Sequence, residues 1–279
     1  MSGITASKSM KRTLYIVATP IGNLSDISFR AVETLKSVDY ILAEDTRRTK
    51  HLLDHYGINT PMISTHKFNE YSRLSKIKEL FDQDLSLAIV SDAGTPLISD
   101  PGSIVVEYAI DNQIKVVPIP GPSSLTTILS VSGFDLKERP PVFLGFLPST
   151  KEKAKHFLAE LLPLGFSYVV FESPLRINGL VEMIRSLDPG AEMIIGRELT
   201  KMHEEILRIK PGQEIQKIME KGEFVLTILP SKKPLKNNKE SDLENDLDDT
   251  RSLSKILASY LNLKQKEAYN ILIDLKKRS

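Results

Sequence analysis

The stretch 91–102, SDAGTPLISDPG, follows the apolar run Leu87 to Val90 and sets two aspartates, two glycines, two prolines and three hydroxyl side chains in twelve positions. Reversing a chain takes only two or three such residues. The excess points to a loop shaped around a ligand: Ala93 and Gly94 leave room against the backbone, Asp92 offers a carboxylate and Thr95 a hydroxyl. Its last part, Asp100-Pro101-Gly102, also reads as an ordinary helix start with Asp100 as cap and Pro101 in the first helical position.

Four further groups concentrate polar chemistry where a strand ends. In ATPIGNLSD, 18–26, Gly22 permits close backbone approach and Asn23 tolerates a left-handed conformation, beside an ordinary helix entry capped by Ser25 or Asp26. AEDTRRTK, 43–50, sets two acids against two arginines, a pattern that surface ion pairs also produce. In PGPSS, 120–124, Ser123 and Ser124 stand at an expected helix N-terminus, whose free N–H groups favour an anion. Finally FESPLR, 171–176, and GRELTK, 196–201, each bring a glutamate and an arginine to a strand exit, with a Ser173 cap and inter-domain ion pairs as the alternative. None of these is a P-loop or a GxGxxG dinucleotide fingerprint, and the five histidines have no metal-ligand spacing.

Ligands of parallel α/β sheets lie outside the carboxyl ends of the strands, so the elements that carry these loops matter. Short apolar runs at 13–18, 39–43, 86–91 and 115–118 read as strands, and 27–37, 46–56, 70–82 and 103–112 have helical spacing. A second set follows, with strands near 142–146, 167–172, 191–196, 203–209 and 223–229 and helices near 150–162, 175–187 and 213–220. The expected fold class is α/β: an N-terminal α/β domain over 12–122 and a C-terminal α/β domain over 123–230. An acidic linker, 231–249, and a helical basic tail, 250–279, complete the expected organisation.

Composition narrows the chemistry. The 279 residues carry a net charge of +1 and no cysteine, so disulfides, thiolate nucleophiles and cysteine-ligated metals are excluded. No apolar run is long enough to span a bilayer, and the first residues lack the pattern of a secretory signal, from which a cytoplasmic location is expected. Charge is uneven: 240–249 hold six acids and no base, whereas 251–279 hold seven Lys or Arg against two acids. Such a tail suits phosphate backbones or simply a solvated helical face.

Taken in order, LYIVATPIGNLSD, AEDTRRT, SDAGTPLISDPG, VVPIPGPSS, GFLP, FESPLR and GRELTK resemble the bacterial ribosomal small-subunit methyltransferase I family, part of the tetrapyrrole methylase-like superfamily. The resemblance covers roughly residues 12–230. It implies two α/β domains of the tetrapyrrole methylase type with S-adenosylmethionine (SAM) in the cleft between them, a homodimer, and 2′-O-methylation of a cytidine in the decoding region of 16S ribosomal RNA (rRNA). Carried onto this sequence, it implies cofactor contacts from Pro20, Gly22, Asp92, Ala93, Gly94, Thr95, Ser123 and Ser124, and from Phe171, Glu198 and Leu199.

An attacking 2′-hydroxyl is a weak acid and needs a base or acceptor, but no metal. Glu172 and Glu198 are candidate bases, Lys201 can polarise the hydroxyl, and Arg47 and Arg176 can hold RNA phosphates. Two other functions fit the same fold: C-methylation of a tetrapyrrole precursor, and a non-catalytic RNA-binding protein of ribosome assembly.

Overall fold

The computed structural model describes residues 12–66, 69–232, 250, 253–255, 257–258 and 263–278. These form two compact units. The first runs to Ser130 and includes Arg197–Glu205; the second is Val131–Gly196 with the residues from Ile206 onward.

In the first unit five strands are joined by helices: β1 (Thr13–Val17), α1 (Phe29–Ser37), β2 (Tyr40–Ala43), α2 (Thr46–His55), β3 (Met62–Ser64), α3 (Glu70–Asp82), β4 (Leu87–Val90), α4 (Ser103–Asp111), β5 (Lys115–Ile119) and α5 (Ser124–Ser130). The sheet has the order β3-β2-β4-β1-β5 and every resolved pairing is parallel. Alternation along the strands separates two cores. Tyr15, Val17, Ile41 and Val90 pack with Ala31 and Leu35 of α1 and Leu53 of α2, while Leu14, Leu42 and Ile89 pack with Ile77 and Phe81 of α3 and Val105 of α4. Adjacent strands β2 and β4, and again β4 and β1, therefore feed helices on opposite faces. In parallel α/β sheets ligands bind outside the carboxyl ends of the strands at such reversals.

The second unit holds β6 (Pro141–Phe146), α6 (Lys151–Leu161), β7 (Ser167–Glu172), α7 (Ile177–Leu187), β8 (Glu192–Arg197), β9 (Glu205–Ile209) and β10 (Phe224–Leu229). Its sheet, β6-β7-β10-β8-β9, is mixed: β6 runs parallel to β7, and β10 antiparallel to it. The core lies under α6 and α7, around Leu158, Val170, Ile184 and Leu226. Tyr168 is buried in it, its hydroxyl donates to the Leu161 carbonyl, and burial raises its pKa.

Three expectations are corrected here. Residues 213–220 are not a helix. Ile215 and Ile218, three apart as on a helix face, instead enter the core from an irregular segment, which the Asn178 amide clips by accepting from Ile218 N–H and donating to Ile218 O and Glu220 Oε1. The short β3 was not anticipated. The division expected after residue 122 also falls before α5, which belongs to the first unit together with the 197–205 segment of the second sheet.

Of the C-terminal module, α8 (Gln265–Arg278) is seen and Ala268 on it is buried. Most of the expected acidic linker, 233–249, lies outside the described residues, as do 251–252, 256 and 259–262 of the tail. No helix among the described residues is long and apolar enough to cross a membrane.

Candidate active site at the strand exits

The loops leaving β1, β4 and β5 are tied into one framework. Thr19 and Gly94 exchange backbone hydrogen bonds of 2.9 and 3.0 Å, Thr19 Oγ1 donates to Ser91 O at 3.1 Å, and Thr95 Oγ1 donates to Pro122 O at 3.3 Å. Gly94 has φ +83°, and a Cβ there would meet Ile21 at 3.3 Å. A left-handed residue this close to its neighbours strongly favours glycine. Gly94 thus holds the loop together whatever the loop binds, and a bulky substitution would test folding before it tested a ligand.

The β1 loop departs from its expected caps. Asn23 is extended (φ −104°) and its Oδ1 accepts from Ser25 N–H, closing a single 3-10 turn over Leu24–Asp26, while Ser28 caps α1 through Ala31 N–H. Gly22 serves close approach, as its lack of a side chain suggested. The turn 199–201 sits directly on it, and Asn23 N–H donates to Thr200 Oγ1 at 3.0 Å.

That turn is strained. Glu198 and Thr200 both have positive φ, +50° and +65°. It is held by Thr200 N–H to Glu204 Oε2 (2.6 Å), Lys201 N–H to Glu198 O (3.0 Å) and the buried Arg197 against Glu205 (3.3 Å). Non-glycine residues in this region cost about 1–3 kcal/mol each and persist where surrounding structure enforces them, commonly at functional sites. The result sets the Glu198 carboxylate 2.8 Å from Lys201 Nζ, both partly accessible, with Leu199 buried beneath.

Loop 91–102 ends differently from expectation. Asp100 does not cap α4: the cap is Gly102 (φ +123°), and no local side chain satisfies the helix start. The buried Glu70 of α3 does so instead, its Oε1 accepting Gly102 N–H at 3.0 Å and Ile104 N–H at 3.1 Å. An unpaired buried N–H costs about 1–3 kcal/mol, so this single carboxylate secures the end of the loop. Between the two anchors, Leu97 and Ser99 both have positive φ, +71° and +72°.

Released from capping, Asp100 joins Glu44 and Asp92 in a carboxylate group at the ends of β2 and β4. Burial, then the charges of Glu44 and Asp92, push Asp100 up to about 6 against a hydrogen bond from Ser91. Glu44 is raised as well, by burial and Asp92, and is moderated by an Asp92 backbone hydrogen bond, Arg48 and His66. Asp92 itself is partly engaged: Oδ1 accepts Asp45 N–H at 3.0 Å and Oδ2 faces Arg48 at 3.4 Å. Glu44 and Asp100 were missed as site residues because their signal is a shared location, which a linear sequence does not display.

The remaining predicted residues are spread over both units. Pro20, Ala93, Thr95, Ser123 and Ser124 are partly exposed on the first unit, and Arg47 is an exposed residue of α2. On the second, the Glu172 side chain is only 2% exposed: Oε1 accepts Ser173 N–H at 2.7 Å, and Oε2 lies 3.2 Å from Arg176 Nη2 without hydrogen-bond alignment. Arg176 also donates to Pro148 O at 3.0 Å. Glu172 is therefore placed to position Arg176, and Phe171 beside it packs against Phe143 and Phe146.

Comparison with known proteins agrees with this architecture. The family Tetrapyrrole (Corrin/Porphyrin) Methylases matches residues 13–214. Among solved structures, the methyltransferase CobJ superposes with a TM-score of 0.60 at 13% identity over 78% of this chain and 94% of its own. Uroporphyrin-III-C-methyltransferase from Thermus thermophilus gives 0.54 at 14% over 79% and 95%. Those two likenesses establish the fold. At the level of sequence, the ribosomal RNA small subunit methyltransferase I of Leptospira biflexa serovar Patoc is 41% identical over 85% of this chain and 98% of its own. That of Borrelia garinii subsp. bavariensis is 44% identical over 77% and 97%. The chain belongs to the tetrapyrrole methylase family and, within it, to the ribosomal RNA small subunit methyltransferase I group.

Proposed function

We propose that the protein methylates a ribose 2′-oxygen of a cytidine in the decoding region of 16S rRNA, in the small ribosomal subunit, using SAM. The observation that carries this reading is identity above 40% to rRNA methyltransferases along nearly their whole length. The loops of the first unit fit the cofactor. Glu44, Asp92 and Asp100 supply negative charge for a ligand carrying a sulfonium and an ammonium, and Ala93, with Pro20 and Thr95, offers small or neutral contact surface. Ser123, Ser124 and Leu199 complete the contacts we assign to it on this unit.

SAM supplies a methyl carbon activated by positively charged sulfur. Transfer of that methyl group to the ribose oxygen would require the hydroxyl proton to leave. Glu198 accepts this proton, with the Lys201 ammonium 2.8 Å away to stabilise charge growing on the oxygen. Glu172, committed to Ser173 and Arg176, orients Arg176 toward RNA phosphate, and Arg47 offers a second phosphate contact. Such an enzyme acts where ribosomal subunits assemble, in the cytoplasm.

The test is transfer of labelled methyl groups from SAM to the RNA of small subunits that lack the modification. Label in 16S rRNA is expected; label only in a tetrapyrrole precursor, or none at all, contradicts the reading. A homodimer is part of the proposal, resting on membership of the ribosomal RNA small subunit methyltransferase I group. Sedimentation at micromolar concentration should show two chains, and a monomer would remove the dimer from the account.

A further inference from the structure

At the exit of β6 an aromatic side chain is left in water. Phe146 closes that strand with 62% of its surface exposed. Its ring stands edge-on to Phe171, 5.7 Å between centroids, and Phe171 stands edge-on to Phe143 at 5.0 Å. One side of the ring is thus braced by packed aromatics while much of it remains open. Burying a phenylalanine stabilises a fold, and that gain is largely forgone here.

Cations follow at the same strand exits. Arg176 is fixed from two sides, by the Pro148 carbonyl two residues beyond Phe146 and by the buried Glu172, yet stays 36% exposed. Lys151, Lys153 and Lys155 are exposed on the first turns of α6, with Glu152 as the acid among them. Lysines at a helix N-terminus oppose the helix dipole, so the fold alone does not favour them. A polyanion at this surface would.

We propose that Phe146 is a stacking platform for an unpaired nucleotide of the RNA substrate, with Arg176 and the α6 lysines neutralising the phosphates on either side. Sequence-specific RNA recognition targets splayed-out bases, which stack on aromatic rings, and cations track the backbone. The inference rests on the rRNA reading and deepens it by naming a contact for the substrate.

The experiment compares Phe146→Ala, Phe146→Leu and Phe146→Trp with the wild-type protein. The readouts are binding to unmethylated small ribosomal subunits at matched salt, KM and kcat for methyl transfer, and SAM affinity by calorimetry. Alanine and leucine should each weaken subunit binding roughly ten- to a hundredfold and raise KM, with SAM affinity unchanged; tryptophan should restore binding to within about threefold. Exchanging Lys151 and Lys153 for glutamine should flatten the salt dependence of binding. Subunit affinity unchanged by alanine, or fully kept by leucine, overturns the platform while leaving the methylation reading intact. Equal loss of SAM affinity in all three variants would instead assign Phe146 to the fold. Weakened self-association with unchanged RNA affinity would assign it to a protein interface. A wild-type protein that methylates no rRNA overturns both readings.

Discussion

One added methyl group at position 22 is expected to remove nearly all methyl transfer while leaving the protein folded. In Gly22→Ala the new Cβ would lie 2.4 Å from Lys201 Cγ, 2.7 Å from Thr200 Oγ1 and 2.9 Å from the Leu199 carbonyl oxygen. The lysine can swing and the hydroxyl can turn, but the carbonyl moves only if the turn moves. That turn already carries positive φ at Glu198 and Thr200 and is hydrogen-bonded to Asn23, so it yields by shifting as a body. Overpacking of this kind costs about 1–3 kcal/mol, within the stability of most domains. A displacement near 1 Å of catalytic groups costs on the order of a hundredfold in rate. Turnover and melting temperature should therefore separate: kcat falls about a hundredfold or more and the melting transition drops by a few degrees. Gly179→Ala in α7, where the added Cβ meets nothing within 4 Å, should leave activity unchanged and stabilise by roughly 0.5–1 kcal/mol. Full activity in Gly22→Ala would show that the Glu198–Lys201 turn is not part of the reacting centre.

Asp100→Asn should make the protein more stable and a poorer binder of SAM. The carboxyl has an ordinary pKa of 3.8 and is held at about 6 in the fold, by burial and by Glu44 and Asp92, which face it from the ends of β2 and β4. Arg48 and His66 act on Glu44 in the same group. Because the folded pKa lies above the unfolded one, this residue's contribution to stability is complete below about pH 4 and is lost as pH rises through about 6. Asparagine carries no such penalty. At pH 7.5 the variant should gain on the order of 1 kcal/mol, a figure reduced for the partial exposure of the side chain, and the gain should vanish near pH 4. Function should move the other way. If the ionised carboxylate faces a cationic ligand, wild-type SAM affinity rises between pH 5 and 7.5. The variant shows little change with pH and binds about tenfold more weakly at the upper end, the equivalent of one pKa unit of interaction. A variant that matches wild type in affinity and pH response would remove Asp100 from the cofactor site.

Much of this was legible in the sequence because it depends on local composition. Aliphatic runs mark β1, β2, β4 and β5, and the excess of glycine, proline and hydroxyl residues at 91–102 marks a loop with more to do than turn. Gly22 could be read as a point of close approach, since nothing else in that loop required a glycine. Features made by distant residues were hidden. Glu70 caps α4 across more than thirty positions of chain, and until that bond is seen Asp100 has a sufficient job as the local cap. Ile215 and Ile218 have helical spacing, but the Asn178 amide holds their segment in an irregular path that no local signal announces. Likewise the packing of 199–201 against the β1 loop inside the first unit uses one missing side chain at Gly22 and one hydroxyl at Thr200. Such features belong to tertiary packing, which overrides local preference.

The most direct test of the account is the atom that receives the methyl group. Purified protein, methyl-labelled SAM and small ribosomal subunits lacking the mark are incubated together, and the 16S rRNA is then hydrolysed in alkali. A free 2′-hydroxyl is the internal nucleophile of that cleavage, so methylation of this oxygen protects the following phosphodiester bond. The account predicts label at one cytidine of the decoding region, recovered in an alkali-resistant dinucleotide. Label on a base atom, or a labelled nucleotide whose following bond is cleaved like any other, would contradict it.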